Sequence, residues 1–141
     1  MKLIPVKEVI CGNRIVLCED SIVRGTQLKN YTLKKLWESG AREIHVRPAC
    51  PPLMFPCRYA LSTRSIEELI ARRAIWSIEG RDIEDIGEYL DDTTEKYKAM
   101  VDWIAMELGA STLCYQKIND MVNAIGLPRD QLCLYCWIGH D

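Results

Sequence analysis

The chain has 141 residues, 48% of them apolar and 27% charged, with a net charge of −2. That is enough for one domain with a buried core, at the balance of an ordinary globular protein. So small a net charge gives no field toward nucleic acid or an anionic membrane, and no apolar run reaches the length of a membrane span. With no signal-peptide core either, neither nucleic acid nor a membrane is expected as a partner, and the expected location is cytoplasmic. Seven cysteines then read as reduced thiols or metal ligands rather than as a disulfide framework.

In chain order, Lys7 to Cys11 is a short apolar-leaning run, and Gly12-Asn13 separates it from the next element. That is either a hairpin or a plain loop entering a strand. Ile15-Val16-Leu17-Cys18 is an apolar run without polar alternation, as suits a strand buried on both faces. It ends in two acids, Glu19 and Asp20, followed by Ser21-Ile22-Val23-Arg24-Gly25-Thr26. A helical pattern starts at Leu28 and runs to Ser39, with Leu28, Thr32, Leu33, Leu36 and Trp37 toward the core.

A strand, two acids, a short hydroxyl- and glycine-bearing loop and a helix form a ligand site at the carboxyl end of a sheet. Backbone N–H groups at the start of a helix lack partners and carry partial positive charge, so they hold phosphate well. Gly25 would permit close approach, Ser21 and Thr26 add hydroxyls, and Arg24 adds a full charge. Carboxylates beside a phosphate need something else to meet, either a sugar diol or a hard cation such as Mg²⁺. A phosphorylated ribose offers both. The alternative is a buried strand followed by a capping turn with incidental acids.

Glu43 to Pro48 alternates Ile44 and Val46 with His45 and Arg47 and reads as a second strand, completing a parallel βαβ unit. His45 is read as structural. Four prolines between Pro48 and Pro56 exclude a helix or central strand there. Ser65 with Glu68 reads as a capping box for a helix through Leu69, Ile70 and Ala74. Two helical patterns follow, one with Ile83, Ile86, Tyr89 and Leu90, the other with Tyr97, Met100, Val101, Ile104 and Leu108. The turn Asp91-Asp92-Thr93-Thr94 between them reads as a solvated N-cap. Thr112 to Gln116 is a short strand candidate, and Asn119 is placed as the cap of a final short helix. Cys133 and Cys136 form C-x₂-C, a spacing that lets two thiolates reach one metal ion or cluster, although no second such pair completes a zinc-finger pattern. Cys11, Cys18, Cys50 and Cys114 sit in apolar settings and read as small core residues.

VLCEDSIVRGT resembles the 5-phosphoribosyl-pyrophosphate (PRPP) loop of type I phosphoribosyltransferases, in the form found in the glutamine PRPP amidotransferase (amidophosphoribosyltransferase) family. MKLIPV precedes the loop as in that family. GAREIHVR, PPLMFPCRYALST, EELIA, AIGLP and CLYCWIG follow it, with a gap between Arg72 and Leu108. The resemblance implies an α/β fold, a partial type I phosphoribosyltransferase fold with an incomplete, mainly parallel sheet, flanking helices and a C-terminal helical segment. It implies residues 1–75 as the C-terminal half of the transferase domain, 76–110 as an inserted helical pair and 111–141 as a C-terminal segment. Glu19 and Asp20 would bind the ribose hydroxyls directly or through Mg²⁺. Ser21, Ile22, Val23, Arg24, Gly25 and Thr26 would bind the 5′-phosphate. No nucleophile or general base for the transfer is visible.

The same resemblance makes Cys57, Cys133 and Cys136 three ligands of a 4Fe–4S cluster of the intact protein, with the fourth upstream. It also implies that a glutaminase domain and the first half of the transferase lie outside this chain, which then reads as a C-terminal fragment, inactive alone. An uncovered sheet edge would favour self-association into a homo-oligomer. The implied reaction is that of the first committed step of purine synthesis. The rival readings are a non-catalytic PRPP- or nucleotide-binding regulatory module, and a cysteine-based metal or interaction domain.

Overall fold

The computed structural model describes residues 4–59, 61 and 63–140. Met1-Lys2-Leu3, the start of the MKLIPV match, lie outside these, as do positions 60 and 62 of the proline-rich match. The run read as either a hairpin arm or a plain loop is a single helical turn, α1 (Lys7–Ile10), bonded onward to β1 (Arg14–Glu19) through a turn. A π-helical stretch, Leu28–Leu33, leads directly into α2 (Lys34–Glu38). β2 (Glu43–Pro48) follows, then a 3₁₀ turn at Ile66–Glu68, α3 (Ile70–Glu79), α4 (Gly87–Leu90) and α5 (Glu95–Leu108). The chain ends with β3 (Thr112–Leu113), α6 (Ile118–Ile125), a 3₁₀ turn at Arg129–Gln131 and α7 (Tyr135–Ile138).

The three strands form one parallel sheet in the order β1-β2-β3, with Arg14 opposite Glu43 and Glu19 opposite Pro48. The expected α/β architecture with a parallel sheet and flanking helices is what the structure has. β2 is central, and its Ile44 and Val46 are fully buried. Each contributes about 1.5–3 kcal/mol by leaving water. His45 bonds to Thr112 and Glu43 within the sheet, a structural role.

β1 departs from its expected burial. It is an edge strand, and its residues alternate between exposed and half-buried rather than being buried on both faces. Ile15 and Leu17 pack against the core, whereas Val16 is 64% exposed. β-branched content reports strand propensity, not how many layers cover the strand.

The core joins the sheet to the helices. Ile70, Ala74 and Ile75 of α3 meet Met100, Ile104 and Leu108 of α5, together with Leu33, Ile86 and Tyr89. The segment expected as an insertion therefore shares the main core, and the boundary at 75/76 falls inside α3. The indole N–H of Trp37 donates to the Gly109 carbonyl at 3.0 Å, tying α2 to the end of α5. Arg72, only 9% exposed, is satisfied by Asp82 and the Ile83 carbonyl. A smaller cluster of Cys50, Met121 and Leu134, with Trp137 and Ile138, joins the loop after β2 to the C-terminal helices.

Two capping expectations change. Ser65 makes no capping bond, the chain breaks to extended geometry at Leu69, and α3 starts only at Ile70. Glu68, expected to complete the box, instead pairs with Arg24 at 2.7 Å. Asn119 lies inside α6 rather than at its cap, which is Lys117, and its amide oxygen accepts from Arg129 at 3.3 Å. Thr94, by contrast, caps α5 through the Tyr97 N–H, as its place after two acids indicates.

Gly25 is buried at φ +74°, and a Cβ there would lie 2.7 Å from Ile70 Cδ1 and 2.8 Å from Leu108 Cδ2. Gly25→Ala is expected to destabilise the chain by roughly 1–3 kcal/mol, through left-handed strain and overpacking. Urea unfolding measures this, and a loss within error of zero would show that the contact is not tight.

Candidate functional site

The site is built where β1 ends. Glu19 is the last residue of the strand and is half-buried, and Asp20 next to it is exposed. The Glu19 carbonyl accepts the Ala49 N–H at 2.8 Å, so the end of β1 is fixed to the residue that follows β2. Asp20 Oδ1 accepts the Ser21 N–H at 2.7 Å. Burial first, and the neighbouring Asp20 charge second, raise the Glu19 carboxyl above the usual carboxylate range. A pair of acids under that mutual repulsion is relieved by a cation or by hydroxyl donors.

The loop beyond them is held from below. Ile22 is 3% exposed, and the Val23 carbonyl accepts the Ile70 N–H at 2.8 Å, docking the loop on the start of α3. Gly25 presses on Ile70 and Leu108, so its missing side chain serves the core contact rather than approach of a ligand. The first bond of the following helix runs from the Lys29 N–H to the Gly25 carbonyl at 2.9 Å. The N–H groups of Thr26, Gln27 and Leu28 precede that bond, in the first turn, where donors lack intrahelical partners. The π-helical stretch begins directly after them, and such wide turns recur at functional sites. Ser21 is half-buried, and Thr26 and Arg24 are exposed at the rim.

The structure therefore brings Glu19, Asp20, Ser21 and Thr26 to one strand end, with Ile22, Val23 and Gly25 acting as the anchor. Arg24 is drawn aside by Glu68, in an exposed pair worth at most about 1 kcal/mol, which an anion can outcompete. Sequence reasoning missed the two residues that hold the loop in place, Ile70 and Leu108. Their only signal was membership of two helical stripes.

The cysteines divide in an unexpected way. Cys50 is buried as expected, but Cys11, Cys18 and Cys114 are exposed, because the strand and loop faces that carry them are uncovered. Cys57, in the proline-rich loop, reaches the C-terminal pair. Burial, then the Cys57 and Cys133 thiols, raise Cys136, and a side-chain hydrogen bond joins Cys136 to Cys57. Cys57 and Cys136 are half-buried, and Cys133 is exposed. Among the described residues, no group of three or more His, Cys, Asp or Glu is arranged to hold a metal ion. The three thiols are neighbours, then, but not a closed ligand set. No helix among the described residues is long and apolar enough to cross a membrane.

Comparison with known proteins gives a consistent picture. No family model matches the chain. It is 36% identical over 139 residues to the amidophosphoribosyltransferase of Mycobacterium tuberculosis, covering 99% of this chain and 22% of that protein. Over 71 residues it is 56% identical to the amidophosphoribosyltransferase of Pyrococcus horikoshii, covering 50% of this chain and 16% of that one. Among solved structures it is similar to glutamine PRPP amidotransferase from B. subtilis complexed with ADP and GMP, with a TM-score of 0.68 and 32% identity, over 95% of this chain and 25% of that one. The chain thus spans about a fifth of the length of the curated relatives it matches.

The raised Glu19 carboxyl has a consequence for stability. The folded state holds the Glu19 proton more tightly than the unfolded state, so the penalty is absent below the unfolded value of 4.5 and develops as pH rises through the folded pKa. Glu19→Gln is expected to raise the melting temperature at pH 7 and to lose that advantage at about pH 4. An equal gain at both pH values would place its cause outside ionisation.

Proposed function

We propose that this chain, whose homologues are amidophosphoribosyltransferases, carries the PRPP-binding loop of such an enzyme. In the whole enzyme, ammonia would attack C1 of PRPP. The C1–N bond forms as the bond from C1 to the pyrophosphate oxygen breaks, and the ammonium nitrogen then loses a proton to solvent. The products are 5-phosphoribosylamine and pyrophosphate, the ammonia coming from glutamine, which leaves glutamate. This is the opening step of purine synthesis, and one similar solved structure is described as the allosteric regulatory enzyme of purine biosynthesis. Glutamine hydrolysis and the remainder of the transferase would lie in the parts of the relatives that this chain does not span.

One observation carries the reading: paired acids at the end of β1 stand directly before a helix start whose loop is bolted to α3 and α5. Glu19 and Asp20 would take the ribose hydroxyls, directly or through Mg²⁺, which typically uses one or two carboxylates together with substrate phosphates. The amides of Thr26 to Leu28 and the hydroxyls of Ser21 and Thr26 would take the 5′-phosphate. Holding the sugar rigid while charge develops at C1 is then the main contribution of these residues. They contain no group placed to act as nucleophile.

Cys57, Cys133 and Cys136 would supply three thiolates to a 4Fe–4S cluster of the intact enzyme, the fourth ligand coming from outside this chain. The proximity of Cys57 and Cys133 to Cys136, with the C-x₂-C spacing, supports that reading. The open edge and outer face of β1 support self-association of the chain, which light scattering at rising concentration reads directly.

Mg²⁺ with PRPP is expected to raise the melting temperature of the chain, since a ligand stabilises only the state that binds it, by about 2.7 kcal/mol at a hundredfold excess over Kd. Asp20→Asn combined with Glu19→Gln is expected to remove the shift, and a shift that survives both changes rules out the acids as the ribose site. In the intact enzyme, anaerobic addition of iron and sulfide is expected to give thiolate-to-iron absorption that Cys57→Ser weakens and Cys18→Ser does not. Equal absorption in both variants counts against the assigned ligands.

A further inference from the structure

The acids at the end of β1 are positioned by their neighbours, and those neighbours lead to the C-terminus. Ala49, whose N–H holds the Glu19 carbonyl, opens the proline-rich loop 49–58. The middle of that loop is fastened to α7. The N–H groups of Met54 and Phe55 both donate to the Cys136 carbonyl, at 2.8 and 3.0 Å. The Phe55 and Tyr135 ring centroids lie 5.9 Å apart, and Arg58 stacks on Tyr135 at 4.3 Å. Gly139 follows α7 at φ +80°, and a Cβ there would lie 2.8 Å from Phe55 Cζ.

Between the two fastenings sits Cys50, 6% exposed, in the small cluster with Met121, Leu134 and Trp137. The Trp137 indole nitrogen is buried there, near enough to the Cys50 thiol to oppose its rise but without a well-formed hydrogen bond. Cys50 is thus next to Ala49 in the chain and shares a cluster with Trp137 of α7, and burial is the main cause that raises its thiol.

We propose that α7 is a positioning clamp: by gripping the 49–58 loop over Cys50 it sets the place of Glu19 and Asp20. Occupancy of the phosphoribosyl site and closure of α7 therefore favour each other. The proposal rests on the PRPP reading above. Coupling of this kind is reciprocal, so ligand at the acids must tighten the C-terminal turn as much as the turn strengthens binding. Trp137 and Gly139 touch no ligand in this scheme and act only through the loop.

The experiment alkylates the full chain with iodoacetamide, reads Cys50 by peptide mass spectrometry, and measures the melting shift given by Mg²⁺ with PRPP. Labelling of a buried thiol tracks the population of the open state. In the parent chain, PRPP is expected to slow Cys50 labelling severalfold. Gly139→Ala, which pushes the turn off Phe55, is expected to speed labelling on the order of tenfold and to shrink the PRPP shift. Trp137→Phe, which keeps most of the ring volume, is expected to follow in the same direction to a smaller extent. A PRPP shift unchanged in Gly139→Ala overturns the clamp while leaving the PRPP reading intact, as does parent labelling indifferent to PRPP. No PRPP shift in the parent removes the PRPP reading and the clamp with it.

Discussion

Gly25 has no side chain, and that space is filled by Ile70 from α3 and Leu108 from α5. With the Val23 carbonyl bonded to the Ile70 N–H, this contact fixes the loop onto the helical layer. Everything assigned to the site follows from it. Ile22 and Gly25 are buried beneath the helix start, and pairing of β1 with β2, extended by the Ala49 N–H bond to the Glu19 carbonyl, fixes where the acids begin. A loop held this firmly binds without much ordering cost, which is what pre-organised phosphate sites require.

Two layers of support differ in kind. Beneath the loop the contacts are apolar and deep, built from residues of the main core. Beside the acids they are backbone bonds and a small mixed cluster, reached through the proline-rich loop and the C-terminal turn. The first layer sets the loop's shape. The second can yield locally, because Cys136, Trp137 and Ile138 are only half-buried and the cluster they close is small. The three neighbouring thiols sit in that second layer, so chemistry at Cys57, Cys133 and Cys136 bears on the same turn that braces the acids.

Much of the fold was legible in the sequence because its signals were local. The alternation at Ile44 and Val46 gave β2 its bounds, the stripe from Tyr97 to Leu108 gave α5, and the turn Asp91-Asp92-Thr93-Thr94 was legible as an N-cap without showing which of its residues caps. The acidic pair and its loop were legible as chemistry. What stayed hidden depended on tertiary contacts. β1 reads as doubly buried by composition, yet burial depends on what lies across from it, and one face lies open. Ser65 and Glu68 had the right spacing for a capping box, but Arg24 from a distant segment competed for the carboxylate. Cysteines 11, 18 and 114 looked like core residues because apolar neighbours in sequence are not neighbours in space. In sequence, Cys57 groups with Cys133 and Cys136 only through the family resemblance, since no spacing rule encodes the fold-back of the proline-rich loop on α7.

The central claim is that the helix start after β1 is a phosphate cradle with the acids on its sugar side. The most direct measurement is an amide NMR titration of the ¹⁵N-labelled chain with Mg²⁺ and PRPP. The account predicts that the largest shifts fall on the amides of Val23 to Leu28 and on Ser21, with smaller ones at Ala49. Shifts centred on α5 or α6, with the loop amides unmoved, would contradict it.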